Sequence, residues 1–344
     1  MKTGTVECKM EQKERCLIIA EAGVNHNGDV DTALKLCDAA KAAGADVVKF
    51  QTWKTEAIIT RNVAQADYQQ ENTGIQESQF DMLKKLELSY DDFRRIKAYC
   101  DSIGILFAST ADEAESLDFL ISIGIPFIKI GSGEICNISY LRYMGSKKLP
   151  VILSTGMSSL SDIAVSLQAL REGGATDITL LHCTTSYPCD PLDVNLKAMH
   201  TIRDAFGLPV GYSDHTLGNM VSIAAVAMGA TVIEKHFTLD KNMSGPDHKA
   251  SSSPEEFREL VDSIRYIEKT LGDGQKVPTS AEKEISKVVL KRIVAKRALK
   301  ANQVITEDDI CVKRNDIGAL CSQWDMVIGT RARKDYNVDD GIEI

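Results

Sequence analysis

From residue 16 onward, short apolar runs alternate with longer stretches in which apolar positions recur at helical spacing. The runs cover residues 17–20, 47–50, 105–108, 127–130, 151–153, 178–181, 210–212 and 232–233. Each is rich in Val, Ile, Leu or Phe and free of proline, the pattern of a parallel strand buried on both faces. Between them, residues 31–43, 92–103, 113–123, 161–171, 196–206 and 254–271 read as amphipathic helices. Gly44, Gly104, Gly124, Gly173, Gly207 and Gly272 follow several of them, as expected just past a helix end. Ser89 and Ser253 are candidate N-caps, and Ser253 precedes Pro254 and Glu256, which suit the first and third helical positions.

Eight strand–helix units before residue 272 predict a closed (β/α)₈ TIM barrel over residues 1–272. An open doubly wound sheet has the same alternation, but no glycine-rich dinucleotide fingerprint follows the first strand. After Gly272 the pattern changes. Residues 273–287 read as a polar linker, and residues 288–344 as a small C-terminal β-rich domain with strand-like pieces at 292–295 and 310–313. Turn signals stand at Ala301-Asn302 and Asp340-Gly341. So short a tail is expected to have little core of its own and to pack against something else, such as a second subunit.

The chain's 344 residues, 44% of them hydrophobic, can bury a large core. A net charge of −9 argues against general nucleic-acid binding. Nine cysteines (Cys8, Cys16, Cys37, Cys100, Cys136, Cys183, Cys189, Cys311 and Cys321) show no CxxC pair, which suggests reduced thiols. Residues 1–15 lack the apolar core of a signal peptide, and no segment has the length and apolarity of a membrane span. The expected address is the cytoplasm, with neither nucleic acid nor membrane as partner.

Polar and ionisable residues collect at the C-terminal ends of the runs, where barrel enzymes keep their chemistry. Glu21 closes the first run, with Asn25, His26 and Asn27 after it. Later ends carry Lys49 and Gln51, Ser109 and Thr110, Lys129 with Ser132 and Glu134, and Ser154 with Thr155. The last three give His182, Thr184 and Tyr187; Ser213, Asp214 and His215; and Glu234, Lys235 and His236. Uncompensated, each buried polar group would cost about 1–3 kcal/mol, so their recurrence at one end needs a reason.

His215 and His236, ending adjacent strands, can share a divalent cation or be hydrogen-bonded without one. Lys49 and Lys129, with Ser132, Ser154, Ser213 and the Gly131-Ser132-Gly133 turn, fit an anion cradle. A Schiff-base lysine and a plain pairing with Glu21 or Glu134 are the rivals. Glu21 and Glu134 are acid/base candidates, and Asp247 and His248 in the 244–251 loop can bind sugar hydroxyls or merely shape a turn.

At these residues the sequence closely resembles the N-acetylneuraminate (sialic acid) synthase family, which includes legionaminate and pseudaminate synthases. The matching stretches are IAEAGVNHNG at 19–28, VKFQT at 48–52, IKIGSGE at 128–134 and LSTGM at 153–157. LHCT at 181–184, YSDHT at 212–216 and IEKHFTLDKNMSGPDHKAS at 233–251 complete them. Val312-Lys313-Arg314 is similar to the family's C-terminal antifreeze-like (SAF) domain.

The resemblance implies a homodimer in which each small domain caps its partner's active site. It also implies condensation of phosphoenolpyruvate with an N-acyl amino sugar: N-acetylmannosamine or, as in legionaminate synthases, a 2,4-diacetamido-2,4,6-trideoxy sugar. His215 and His236 would hold a divalent metal, Mn²⁺ or Mg²⁺. Lys49, Thr110, Lys129, Ser132, Ser154 and Ser213 would bind phosphoenolpyruvate, and Gln51, Tyr187, Asp247 and Arg314 the sugar. Glu134 would be the base, with Glu21 in support.

Three departures from the family pattern, Ala111-Asp112, Asn315-Asp316 and Thr185, lie near the expected sugar site. They leave the acceptor open. A catalytically silent carbohydrate-binding protein and a Schiff-base aldolase using pyruvate are the readings from other classes.

Overall fold

A computed structural model describes residues 15–65, 69, 70, 72 and 74–344. Cys8 and residues 1–14, read above for a targeting signal, lie outside the described residues. Eight parallel strands close into a barrel in chain order. They are β1 (Leu17–Gly23), β2 (Val47–Thr52), β3 (Leu106–Ala111), β4 (Ile128–Ile130), β5 (Val151–Ser154), β6 (Ile178–Cys183), β7 (Val210–Asp214) and β8 (Val232–His236). β1 pairs with β8, Ile19 against Glu234, so the sheet is closed and the open doubly wound alternative falls away.

Side-chain alternation explains what each strand carries. Ile18, Ala20, Val48, Phe50, Phe107, Ile128, Leu153, Leu180 and Ile233 belong to the core shared with the surrounding helices. Ile19, Val47, Ala108, Phe127, Ile152, Leu181 and Val232 form a separate apolar plug inside the barrel. Burying each of the larger ones is worth roughly 1.5–3 kcal/mol. Two residues beyond each plug residue, on the same inner face, stand Glu21, Lys49, Thr110, Lys129, Ser154, Cys183 and Glu234. In β7 the plug position is Gly211, where a Cβ would lie 2.7 Å from Leu181 Cδ2 and 2.4 Å from the Val232 carbonyl oxygen. Two residues on comes Ser213.

Most strands run one to three residues further than the apolar runs suggested. The reason is that their last inward positions face a cavity, where polar groups have partners. The helices form much as read: Val30–Ala42, Tyr90–Ile103, Ala114–Ser122, Leu160–Gly173, Ala198–Phe206 and Pro254–Thr270. Ser89 and Ser253 are N-caps in reciprocal capping boxes with Asp92 and Glu256. Gly104 and Gly207 end their helices in the left-handed conformation. Gly173 is not the residue past a helix end but the last helical residue of Leu160–Gly173, against Gly145, where a Cβ would meet the Arg142 carbonyl oxygen at 2.2 Å, and Gly174 is the cap. Helices Gln79–Leu86, Ile138–Ser146 and Met220–Ala227 form as well, with no amphipathic stretch singled out for them above.

The chain divides into two compact units, Met1–Leu271 and Gly272–Ile344. In the second, the stretch read as linker carries an exposed helix, Ser280–Val289, started by a Thr279–Glu282 capping box. β9 (Lys291–Ala295) and β10 (Ile310–Arg314) pair antiparallel. Contrary to the expectation of little core, Ile293, Leu299, Ile305, Ile310, Val327, Tyr336 and Ile342 pack into a buried cluster of this unit's own. Tight turns and bridges, such as Leu299 with Tyr336 and Val294 with Gly341, fold so short a stretch over itself. No described helix is long and apolar enough to cross a membrane. The eight described cysteines are free thiols.

Candidate active site

The inner polar layer opens into a cavity of about 190 Å³ at the C-terminal mouth of the barrel. Its walls bring together Glu21, Lys49, Gln51, Thr110, Lys129, Ser132, Ser154, Tyr187, Ser213, His215 and His236, from all eight strands and the segments just beyond them. Of the residues predicted for the site, Asp247 lines an adjoining lobe instead. Glu134 follows Gly133 in a short 3₁₀ turn, and its carboxylate accepts from Asn137 Nδ2 at 2.6 Å without lining the cavity. Arg314 is exposed at the end of β10, in the second unit.

Two buried lysines set the electrostatics. Lys49 Nζ lies 2.6 Å from Glu21 Oε2, donates to Thr110 Oγ1 at 3.0 Å and stands 3.8 Å from Glu234 Oε2. Lys129 Nζ donates to Ser154 Oγ at 2.8 Å and lies 3.3 Å from Glu234 Oε1, which also accepts from Ser213 Oγ at 3.0 Å. Glu234 therefore bridges both lysines. Burial pushes its pKa up, but Lys129 and Lys49 bring it down to about 2. Burial drives Glu21 upward, against Lys49 and with the help of Glu234's charge. For Lys49 burial lowers the pKa, and Glu21 and Glu234 more than reverse it, so its amine stays an ammonium and a poor Schiff-base nucleophile.

Opposite them the rings of His215 and His236 lie 5.5 Å apart between centroids, with Tyr187 packed on both at 4.2 Å and 5.6 Å. His215 Nδ1 is 2.7 Å from the Thr184 carbonyl oxygen, so that nitrogen carries the proton and Nε2 keeps its lone pair. His236 Nδ1 is buried without a hydrogen-bond partner among the described residues. Burial and the neighbouring His215 hold His236 neutral, its pKa lowered to about 3. For His215 burial lowers the pKa, and hydrogen bonds to Cys183 and Thr184 raise it above the usual value. The pair fits a divalent cation as far as two imidazoles go; among the described residues no third histidine, cysteine or carboxylate completes a compact set of three. Water and substrate oxygens would have to fill the remaining positions.

Some strand-end residues play other parts. Asp214 and Lys235 face outward and form a buried ion pair at 2.9 Å, with Ser222 and Thr216 on the same carboxylate. His182 bonds the Val194 carbonyl oxygen at 2.7 Å. His248 bonds Thr238 at 2.7 Å and Asn27 at 3.2 Å, so it braces two loops and is not left facing a ligand. Five cavity residues had no role assigned from sequence: Asp112, Met157, Cys183, Thr185 and Glu234. Asp112 is pushed up to about 7, first by burial and then by Glu134. For Cys183 burial raises the thiol pKa, and hydrogen bonding to His215 more than reverses it. The period-two step from Ala108, Leu181 and Val232 would have pointed to Thr110, Cys183 and Glu234 alike; nothing in the local pattern marks Asp112.

Comparisons with known proteins converge on one family. The model of the NeuB family matches residues 36–276. The N,N'-diacetyllegionaminic acid synthase of Legionella pneumophila is 47% identical, over 92% of this chain and 90% of that one. The enzyme of the same name from Campylobacter jejuni is 46% identical, over 95% and 98%. Among solved structures, the N-acetylneuraminic acid (sialic acid) synthetase of Leptospira borgpetersenii, in complex with citrate, superposes with a TM-score of 0.71. It is 35% identical and covers 79% of this chain and 90% of its own.

Proposed function

The chain belongs to the NeuB family, and from that premise we propose that it is a sugar-acid synthase condensing phosphoenolpyruvate with an N-acylated amino sugar aldehyde and releasing phosphate. The observation that carries the reading is Glu234 held between Lys49 and Lys129, in one cavity with His215 and His236. The lysines and the hydroxyls of Thr110, Ser154 and Ser213 bind the phosphate and carboxylate of phosphoenolpyruvate. A divalent cation on His215 and His236, Mn²⁺ or Mg²⁺, would supply Lewis-acid polarisation of the aldehyde.

In the reaction C3 of phosphoenolpyruvate forms a bond to the aldehyde carbon, and positive charge develops at C2. Glu21 and Glu234, fixed before the reaction begins, stabilise that charge. Water adds at C2, a proton leaves, and the C2–O bond to phosphate breaks. Glu134 takes that proton only after turning from Asn137. Glu21 already lines the cavity and moves the proton at the sugar oxygen. Comparing Glu21→Gln with Glu134→Gln separates the two roles, because loss of the water-activating base alone leaves C–C bond formation in place.

The acceptor is N-acetylmannosamine or a related N-acyl amino sugar. The two relatives at 47% and 46% identity favour a second reading, N,N'-diacetyllegionaminate synthesis from 2,4-diacetamido-2,4,6-trideoxymannose. We further infer a cytoplasmic homodimer in which the small unit is an antifreeze-like (SAF) domain capping the partner's cavity with Arg314. The deciding experiment follows phosphate release from phosphoenolpyruvate with each acceptor, with and without chelator. Release that needs both a sugar and the metal is expected; release unaffected by thorough chelation overturns the metal, and none with any N-acyl amino sugar overturns the synthase.

A further inference from the structure

The last rung of the ladder between β7 and β8 pairs Asp214 with Lys235. One rung earlier Ser213 stands opposite Glu234, and their side chains meet at 3.0 Å on the cavity side. Alternation turns Asp214 and Lys235 to the outside of the barrel. There the Lys235 ammonium lies 2.9 Å from Asp214 Oδ2, and both residues are buried. The same carboxylate accepts from Ser222 Oγ at 2.5 Å, and from the N–H and hydroxyl of Thr216 at 2.9 Å and 2.8 Å. Lys235 Nζ also donates to the Thr216 carbonyl oxygen at 2.8 Å.

A histidine follows each partner of this pair: His215 comes after Asp214, and His236 after Lys235. The β7–β8 ladder ends at the rung before them, so no backbone pairing between the strands fixes how far apart they stand. The outer cluster does that instead. Asp214 closes a turn over His215 by binding Thr216, and Lys235 binds Thr216 from the neighbouring strand. A buried ion pair adds little to stability, because desolvation offsets most of its attraction and apolar replacements are often neutral. What this pair adds is geometry, at the one rung from which both imidazoles start.

We propose that Asp214 and Lys235 are positioning residues for metal binding: by locking the outer face of the last β7–β8 rung, they set the separation and direction from which His215 and His236 reach one divalent cation. The inference rests on the metal reading above. Neither side chain lines the cavity, and each acts through the backbone of the histidine that follows it. Two imidazoles supply only part of a coordination shell, and among the described residues no third protein ligand joins them in a compact set. An error in their spacing is therefore read directly as weaker binding. The anion-binding lysines stand on β2 and β4, away from this rung, and their affinity for phosphoenolpyruvate is not expected to follow.

The test titrates the metal-free, full-length protein with Mn²⁺ and reads the free ion by its electron paramagnetic resonance signal, so no turnover is needed. Asp214→Asn combined with Lys235→Met removes both charges together, leaves no buried ion unpaired and keeps an oxygen for Thr216. This double variant is expected to bind Mn²⁺ about 10- to 100-fold more weakly, the loss typical when groups that orient metal ligands are removed. Its urea midpoint, and the rise in that midpoint with phosphoenolpyruvate, should stay near the wild-type values. If the double variant does not fold, Ser222→Ala decides: it takes one hydrogen bond from the same carboxylate, removes no charge and should weaken Mn²⁺ about threefold. An unchanged Mn²⁺ dissociation constant in the folded double variant overturns the proposal, whatever happens to the midpoint. An unchanged constant in Ser222→Ala does the same where the double variant does not fold. Failure of the wild type to bind Mn²⁺ is a different result: it overturns the metal reading, and this inference with it.

Discussion

At the scale of single residues, Glu234 governs the electrostatics of the cavity. A carboxylate this deeply buried should be protonated, and it is ionised only because two ammonium groups flank it. Its replacement by the neutral isostere, Glu234→Gln, leaves Lys129 without an acidic partner and Lys49 with Glu21 alone. Removing one partner of a buried pair costs about 3–5 kcal/mol, so the free protein should lose stability, read as a lower urea midpoint. Phosphoenolpyruvate brings back negative charge, so it should raise the midpoint of the variant more than that of the wild type. At the same time kcat should fall by about 100-fold as one stabiliser of the charge at C2 disappears. A smaller ligand-induced shift in the variant would mean that these lysines do not hold the anion. Sequence made Lys49, Lys129, His215 and His236 legible as chemistry, because ionisable groups at buried strand ends need explaining. It showed Glu234 at a strand end but gave it no task. The bridge joins β2, β4 and β8, and no local pattern reports which residues of non-neighbouring strands meet across a barrel.

At the scale of elements, the alternation of plug and polar layer was readable in the apolar runs, and their eightfold repeat gave the closed barrel. Helix Gln79–Leu86, which walls the lobe beside Asp247, was not singled out, since eight residues give a weak periodic signal. The loops around the mouth are held by neutral histidines. His26 Nδ1 accepts the Gly28 N–H at 3.0 Å, and His248 joins Thr238 of one loop to Asn27 of another. Burial lowers both pKa values to about 4. Because the folded values lie below the unfolded value of about 6.5, the unfolded chain binds these protons first. Their contribution to stability is thus complete above pH 6.5 and is lost as pH falls toward 4, with a slope of up to about 1.4 kcal/mol per pH unit for each histidine. Urea midpoints of the metal-free protein between pH 7 and pH 4 should follow this decline, and His26→Gln should flatten it. An unchanged slope in that variant would assign the acid lability to other groups.

At the scale of the whole molecule, the second unit has its own core, so its place cannot be inferred from a need for burial. If each cavity is completed by Arg314 of the partner subunit, two damaged chains can repair one another. His215→Ala loses the barrel's imidazole but keeps its own Arg314; Arg314→Ala keeps an intact barrel but has no side chain to lend. Each homodimer is then expected to be inactive. In a mixed dimer the barrel of the Arg314→Ala chain receives Arg314 from the His215→Ala chain, and one of the two cavities is whole. With random pairing of equal amounts, half the dimers are mixed, and about one quarter of wild-type turnover should return. If each chain instead supplied its own Arg314, every cavity in every dimer would lack one group, and co-expression would restore nothing. Full activity of Arg314→Ala by itself would remove the residue from the site altogether. The complementation is therefore decided by which chain supplies the guanidinium.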